Sequence, residues 1–415
     1  MSHHRLRKAL PPPMNLRALR DHPLLLPYFV PEFILAVSWG LLVPVLPVYA
    51  SEFGAGYAVI GLLLGGEALG MLLGDVPAGL WMRQLGTKPT MLLGGAGAVI
   101  ATAGLFFAPT IGVAIALRML AGFSRSMYSV ARHAYLAMAA SQGARGRAFA
   151  FAGGLQRIGH FVGPALGGLA AEALGLRAAF LVFGGVALAA LGALAFYAPA
   201  TTTRDVRQPA RVALGLLWQT VRSHYRVLFK AGAGQILAQT IRAGRSAIIP
   251  LYAADVLGLD VTAIGLIVSL SSAVDMALFY PAGLLMDRLG RKAAIVPSFV
   301  IQAVGMALIP LAHSQGVLLA VASLIGLGNG LGSGSMMTLG ADLAPRETRG
   351  EFLGVWRLIG DGGSSLGPLL VGQVSALLAL PAAALVMAAA GLGAGLVFGL
   401  AMPEPKRQPA EPAQA

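Results

Sequence analysis

The stretch GLLMDRLGRK, Gly283 to Lys292, is a short charged segment between two long apolar runs. A less complete copy, GLWMRQLGTK, occupies Gly79 to Lys88, 204 positions earlier. A soluble domain has little use for a charged segment between such runs, whereas a loop that joins two membrane-spanning helices has this pattern. The two copies predict a duplicated membrane protein with one charged face.

The composition favours a membrane protein along the whole chain. Of the 415 residues, 57% are hydrophobic and 11% are charged, whereas soluble domains carry about 25% charged residues. The chain has no cysteine, which excludes disulfides, thiolate metal sites and cysteine catalysis.

Apolar runs of about 20 residues are long enough to span a bilayer as helices, and the sequence contains twelve of them. The prediction is an all-α integral membrane protein with two six-helix bundles. The predicted spans are 26–50, 57–81, 89–108, 111–139, 147–172, 177–198, 230–254, 262–286, 293–312, 316–342, 350–378 and 381–402. The predicted domains are a tail 1–25, a bundle 26–198, a linker 199–229, a bundle 230–402 and a tail 403–415.

The basic residues predict the orientation. With the N-terminus in the cytoplasm, every loop or tail lysine and arginine except Arg177 lies on the cytoplasmic side, as the positive-inside rule requires. Both termini are therefore predicted to be cytoplasmic, and the protein is predicted to lie in the inner or plasma membrane. The net charge of +13 is explained by topology, and no nucleic-acid partner is predicted.

Several short segments recur at the same offset of 204. Pro77-Ala78-Gly79-Leu80 recurs at 281–284, Ile60-Gly61-Leu62 at 264–266 and Gly163-Pro164 at 367–368. The two halves are therefore parallel repeats. In membrane proteins built this way, a substrate site lies between the halves near the midplane.

The loop at Gly283 fits the signature G-x-x-x-D-R-x-G-R-K, and with it the chain resembles the major facilitator superfamily over all twelve spans. The resemblance implies a cytoplasmic gate motif formed by Gly283, Asp287, Arg288, Gly290, Arg291 and Lys292, with Gly79 and Gly86 in the first copy. That copy departs from the signature, because Arg83 replaces the aspartate and Thr87 the arginine. We expect an asymmetric gate in which Asp287 matters more than Arg83.

The fifth span contains GHFVGPALGG, which fits G-x-x-x-G-P-x-x-G-G and is similar to the signature of the superfamily's drug–proton antiporters. Its motif residues are Gly159, Gly163, Pro164, Gly167 and Gly168. General helix packing is the alternative interpretation, because small residues four apart allow helices to approach closely.

The predicted spans contain seven arginines and five acids. Each charge facing lipid would cost about 2.5–3.5 kcal/mol on insertion scales, so they are expected to face a wet cavity or one another. The proton-coupling candidates are the acids, Glu67, Asp275, Glu32, Asp75 and Asp361. Structural ion pairs are the alternative for any one of them.

Helix depth suggests partners for four of these charges. Glu67, Arg357, Asp275 and Arg157 all fall near the midplane of their spans at 1.5 Å per residue. We predict two ion pairs that bridge the halves, Glu67–Arg357 and Asp275–Arg157. His160, one turn after Arg157, is either a proton relay or a helix-contact histidine.

The resemblance also implies that spans 1, 4, 7 and 10 line a cavity. The candidates are Trp39, Arg118, Arg125, Tyr128, Gln239, Arg242 and Asn329, with plain packing as the alternative for Trp39 and Tyr128. The excess of arginines over acids favours an anionic or zwitterionic substrate, whereas the drug-exporter resemblance favours cations.

The function predicted from these features is secondary active transport by alternating access, as proton-coupled efflux of a small amphipathic compound. The alternatives are an uptake or exchange permease for an organic anion or metabolite, and a non-transporting receptor or scaffold. No nucleotide-binding, metal or hydrolase motif occurs, so no enzyme activity, nucleotide, cofactor or metal is predicted. The expected partners are a small-molecule substrate, protons and the bilayer, and the chain is expected to be monomeric.

Overall fold

The computed structural model describes residues 23–140, 145–199, 210–345 and 348–402, and within them the chain is helical without a strand. The predicted tails 1–25 and 403–415 lie almost wholly outside the described residues. The helices are α1 Leu25–Ser51, α2 Tyr57–Leu85, α3 Thr87–Ala103, α4 Ile111–Ala139, α5 Arg145–Leu174, α6 Ala178–Tyr197, α7 Ala210–Asp255, α8 Val261–Leu289, α9 Lys292–Leu308, α10 Gln315–Leu343, α11 Arg349–Leu377 and α12 Leu380–Leu396.

Eight of the described helices, α1, α2, α3, α6, α8, α9, α10 and α12, are long and apolar enough to cross a membrane. The other four, α4, α5, α7 and α11, carry all seven arginines that the sequence places inside spans. Their lower hydropathy therefore comes from side chains that the structure places between helices, as described below.

Two helices differ from the sequence prediction. Helix α7 was expected to begin at Lys230 but begins at Ala210, so much of the predicted linker is helical, with a kink at His224. Helix α10 was expected to be continuous but is interrupted between Leu331 and Ser335, where Gly334 adopts a φ of 72°. Irregular backbone at membrane depth is tolerated where protein groups satisfy it, and charged side chains bond to this break.

Helix contacts follow the same pattern in both halves of the chain. Helix α1 packs on α5 and α6, α2 on α4, and α3 on α4 and α6. Likewise α7 packs on α11 and α12, α8 on α10, and α9 on α10 and α12. Between the halves, α2 lies along α11 and α5 along α8. We call these two contacts the α2–α11 seam and the α5–α8 seam.

The seams are tight at one end of the helices. A Cβ added to Gly61 would lie 2.7 Å from Cα of Gly372 on α11. A Cβ added to Gly265 would overlap the carbonyl oxygen of Pro164 on α5. Backbone therefore touches backbone across the halves at this end, which we call the glycine end.

The seams are wider at the other end, which carries the loops at Gly86 and Gly290 and which we call the motif end. Gly79 lies about five turns beyond Gly61 on the same face of α2, yet nothing described lies within 4 Å of a Cβ added there. Gly283, five turns beyond Gly265 on α8, is equally open. The two halves therefore meet at the glycine end and diverge toward the motif end.

Candidate functional site

The buried charges form four groups, each held by close helix packing. In the first, the fully buried Glu32 on α1 pairs with Arg132 on α4. It also accepts hydrogen bonds from Gln156 Nε2 at 2.8 Å and Tyr128 Oη at 3.2 Å. One carboxylate and one guanidinium balance each other, so this group is neutral.

In the second group, Glu67 on α2 pairs with Arg118 and Arg125 on α4. Gly122 explains the geometry, because a Cβ there would overlap the carbonyl oxygen of Glu67. The glycine brings α4 against α2 at this level and places one arginine on each side of Glu67. The predicted pair between Glu67 and Arg357 is therefore wrong, since both carboxylate oxygens of Glu67 are bound within the first half.

The third group contains the predicted ion pair between Asp275 and Arg157, with Nη1 2.9 Å from Oδ1 across the α5–α8 seam. Asn329 Nδ2 donates to Asp275 Oδ2 at 2.7 Å. Arg157 also donates to the hydroxyl of Ser333, at the break in α10.

Two further arginines on α7 belong to this third group. Arg242 donates to the carbonyl oxygen of Gly332 at 3.0 Å, and both Arg242 and Arg245 interact electrostatically with Asp275 and Arg157. Arg245 is not among the cavity residues predicted from the sequence. Its signal was the spacing from Arg242, because charges three residues apart share a helix face.

The fourth group crosses the α2–α11 seam. Arg357 on α11 lies 3.3 Å from Asp75 Oδ1 on α2 and 3.5 Å from Asp361 Oδ2 on its own helix. Ser126 and Ser129 of α4 donate to Asp75 and accept from Arg357, respectively. Arg357 thus bridges the halves as expected, but it pairs with Asp75, about two turns beyond Glu67 toward the motif end.

A cavity of about 240 Å³ lies between the halves. Its polar lining includes Trp39, Glu67, Arg118, Arg125 and His160, and the rest is mainly aliphatic. The guanidinium of Arg125 lies 4.1 Å from the ring centroid of Trp39. The cavity therefore combines an aromatic face with two arginines.

Of the seven predicted lining residues, Trp39, Arg118 and Arg125 line this cavity and four do not. Tyr128 binds Glu32, Asn329 binds Asp275, and Arg242 binds the α10 break. Gln239 packs against Gly363 of α11. Helix depth could be estimated from sequence, but the rotation of each helix could not.

The two loop copies share one arrangement. Gly86 and Gly290 have φ values of 91° and 100°, a conformation that glycine adopts without strain. Lys88 donates to the carbonyl oxygen of Ala195 at 2.8 Å, and Lys292 to that of Gly399 at 2.7 Å. Each lysine thus binds a carbonyl group at the end of the last helix of its half, or in the helical turn that follows it.

The charged part of the motif differs between the copies, because the first has Arg83 and Thr87 where the second has Asp287 and Arg291. In the second, Arg291 lies 2.9 Å from Asp342 at the end of α10 and 3.4 Å from Asp287, whose side chain is 75% exposed. Partial burial lowers the pKa of Arg291, but the hydrogen bonds and charges of Asp342 and Asp287 together outweigh it, so the pKa is raised. Arg288 is also exposed.

The glycines of the fifth helix pack it on two neighbours. Gly159, Gly163 and Gly167 contact the backbone of α1, whereas Pro164 and Gly168 contact α8. In the second half, Gly363 and Gly367 pack α11 on α7 in the same way as Gly159 and Gly163. The motif is therefore a packing surface that both halves possess. Among the described residues, no three histidine or acidic side chains are arranged to hold a metal ion.

Comparison with known proteins agrees with this architecture. The chain is 21% identical over 334 residues to an uncharacterized MFS-type transporter of Methanocaldococcus jannaschii, covering 79% of this chain and 85% of that one. It is 30% identical to the multi-drug resistance efflux pump PmrA of Streptococcus pneumoniae over 160 residues, only 37% of this chain and 39% of the pump.

Among solved structures, the human organic anion transporter MFSD10 superimposes with a TM-score of 0.68 at 18% identity, covering 93% of this chain and 100% of that one. The family model of the Major Facilitator Superfamily matches residues 29–238 and 231–415. With its helices, its repeated loop and this match over both halves, the chain belongs to the major facilitator superfamily.

Proposed function

We propose that the protein is a proton-coupled transporter of a small organic compound, working by alternating access. In this proposal all twelve helices cross the inner or plasma membrane as two six-helix bundles with both termini in the cytoplasm. The observation that carries the proposal is the set of ionisable groups on both seams and around the cavity between the halves.

The cost of these groups argues for a transport role. Charged residues inside a membrane protein are expensive and mark substrate or ion pathways. A receptor or scaffold on the same fold would gain little from Arg157–Asp275 and Arg357–Asp75, the ion pairs that join the two halves. A transporter gains from them, because ion pairs on a seam can break and reform as the halves move.

The shape of the seams fits one state of an alternating-access cycle. The halves touch through backbone at the glycine end and diverge at the motif end. With the termini in the cytoplasm, this arrangement is open toward the cytoplasm. The opposite state requires the backbone contacts at Gly61 and Gly265 to separate.

We assign the proton-coupling site to Asp75 and Asp361. These two carboxyl groups share one arginine, Arg357, so the group carries one excess negative charge when both are ionised. They also interact with each other, and Asp75 Oδ2 is buried with no hydrogen-bond donor among the described residues. One bound proton would supply that donor and neutralise the group.

The other three acids are fully occupied by contacts with neighbouring helices. Glu67 is held by two arginines, and Glu32 and Asp275 each pair with one arginine and accept further hydrogen bonds. These contacts leave each of the three carboxylates satisfied by donors from neighbouring helices. We therefore propose structural and substrate-site roles for these three acids.

The direction of transport is proposed to be efflux, supported by the partial similarity to PmrA. The second candidate is a permease for an organic anion, favoured by the two arginines and one acid in the cavity lining.

The test uses proteoliposomes with an imposed pH gradient and two fluorescent probes, ethidium as a cation and carboxyfluorescein as an anion. We expect one probe to move only while the gradient lasts, and Asp75→Asn and Asp361→Asn each to abolish that dependence. Glu52→Gln is the matched control, because Glu52 pairs with Arg177 in an exposed loop. Movement that ignores the gradient would indicate a uniporter, and no movement would favour the receptor.

A further inference from the structure

The charges around the cavity are unequal. Within the described residues, Arg118 and Arg125 share a single acid, Glu67. Asp275 pairs with Arg157, while Arg242 and Arg245 beside it form no ion pair there. Five arginines therefore accompany two carboxylates in these two groups, whereas the Glu32 group is neutral and the Asp75 group has an excess of acid.

The two positive groups meet at the cavity wall. His160 lines the cavity, and its charged neighbours are Arg125 from the second group and Arg157, Arg245 and Asp275 from the third. Ser246 and Ala247, the residues that follow Arg245 on α7, line the cavity from the second half, whereas Arg245 itself lies next to this lining and is not part of it. Positive charge thus approaches the cavity from both halves of the molecule.

Several guanidinium donors in these groups are unused. Arg118 Nε, Arg242 Nε and Arg245 Nη1 are buried with no hydrogen-bond partner among the described residues. Buried donors without acceptors are costly. A carboxylate is a suitable acceptor, because it binds guanidinium groups in short, charge-assisted hydrogen bonds.

We propose that the cavity binds a small amphipathic carboxylate, with its acidic group between Arg125 and Arg245 and its apolar body against Trp39. The inference rests on the proposed function, because it takes this cavity as the substrate site, and it narrows the substrate class to organic anions. A cation would enter a net positive environment in which Glu67 is already bound by two arginines.

This assignment also links binding to movement. Arg125 belongs to the first half and Arg245 to the second, so an anion between them reduces the repulsion between the halves. A ligand shifts a conformational equilibrium only through its different affinity for the two states. A bridging anion would bind the two states with different affinity, because the distance between its two arginines changes as the halves rock.

The test compares three probes with the same phenyl body: phenylacetate, the uncharged phenylacetamide and the cationic phenethylamine. Binding to purified protein is followed by the fluorescence of Trp39, taken as the difference from the Trp39→Phe variant. We expect phenylacetate to bind at least about tenfold more tightly than either analogue, since one charge-assisted hydrogen bond is worth about that factor.

Variants of α7 test the assigned arginine. Arg245→Gln should weaken phenylacetate binding about tenfold and leave phenylacetamide unchanged, while Arg245→Lys should keep most of the affinity. Arg226→Gln is the control, because Arg226 is an exposed arginine on the same helix. Any of four results would overturn the proposal. The three probes could give equal responses or no response, phenethylamine could be preferred, or the anion preference could be unaffected by Arg245→Gln.

The result of this binding test can be separated from the result of the transport test. Anion preference without gradient-dependent flux would refute proton coupling and leave the anion site standing. Gradient-dependent flux of ethidium without anion preference would support proton coupling and refute the anion site.

Discussion

The two halves of the molecule share packing residues and differ in the charged residues between their helices. In the first half, α4 packs on α2 through Gly122, where a Cβ would overlap the carbonyl oxygen of Glu67. In the second, α10 packs on α8 through Gly326 against the carbonyl oxygen of Ser271. The four positions are related by the same offset of 204, so this helix contact has been built twice.

The chemistry at these matching positions is different. Arg118 binds Glu67 in the first half, whereas at the equivalent place the hydroxyl of Ser271 donates to the carbonyl oxygen of Ala322 at 2.6 Å. An ion pair in one half thus corresponds to a neutral hydrogen bond in the other. The comparison teaches that residues repeated at this offset maintain the scaffold, while unrepeated charges are the candidates for function.

The largest loss of stability is expected when an ion pair without a counterpart at the offset of 204 is broken. Asp275→Asn removes the carboxylate that Arg157 binds, and loss of one partner of a buried ion pair costs about 3–5 kcal/mol. We expect a marked fall in the thermal unfolding temperature in detergent. The double variant Asp275→Asn/Arg157→Gln should recover part of the loss, because it leaves one unpaired charge fewer. A double variant no more stable than the single one would contradict the ion-pair explanation.

The next effect comes from breaking a repeated contact. Gly61→Leu and Gly265→Leu each place a side chain against the backbone of the other half, at a cost of at least about 1–3 kcal/mol. We expect both to separate the glycine end to a similar extent. A thiol cross-link between Glu172→Cys and Thr262→Cys, whose native side chains hydrogen-bond across the α5–α8 seam, measures the separation for Gly265→Leu in this cysteine-free chain.

Gly185→Leu is the control for the seam variants, because nothing described lies within 4 Å of a Cβ added at Gly185. It should leave the cross-link unchanged. A strong effect at one seam glycine and none at the other would show that the two seams are not equivalent.

A smaller effect is expected at the loop lysines. Lys88→Met and Lys292→Met each remove hydrogen bonds to carbonyl groups at the end of α6 or α12. Each should lower stability by about 1 kcal/mol, and the two values should agree because the contact is repeated. If thermal unfolding shows that the two variants lose different amounts of stability, the contacts of Lys88 and Lys292 are not equivalent in the two halves.

The smallest effect on stability is expected at Asp287. Its side chain is 75% exposed and its ion pair with Arg291 spans 3.4 Å, and such surface pairs contribute about 0–1 kcal/mol. We expect Asp287→Asn to unfold at nearly the native temperature yet to reduce flux in proteoliposomes, because its role as a latch would arise only when the motif end closes. Arg83→Gln is the comparison in the first copy, and a larger flux defect there would contradict the asymmetric gate.

The sequence was sufficient for the helices apart from the start of α7 and the break in α10, for the repeat and for one ion pair. Apolar length located the helices, and the offset of 204 identified residues that share a role, such as Lys88 and Lys292. Depth along a helix brought Asp275 and Arg157 together correctly. These features depend on position along the chain, which a sequence contains directly.

The remaining features depend on how helices turn toward one another. Arg357 was paired with Glu67 on depth alone, whereas the contact at Gly122 assigns Glu67 to Arg118 and Arg125. The interruption of α10 lies in a glycine-rich run inside the span 316–342, which was predicted to be continuous. Rotation and local breaks are set by tertiary contacts, which a single sequence does not display.

The lysine contacts also bear on how the chain folds. Lys88 and Ala195 are 107 residues apart, and so are Lys292 and Gly399. Each bond therefore closes one half on itself using only residues of that half. Because domains generally fold as units during synthesis, beginning with the N-terminal one, the first half can complete this closure before the second has been made. The duplication would then give two successive folding events of similar size instead of one long search.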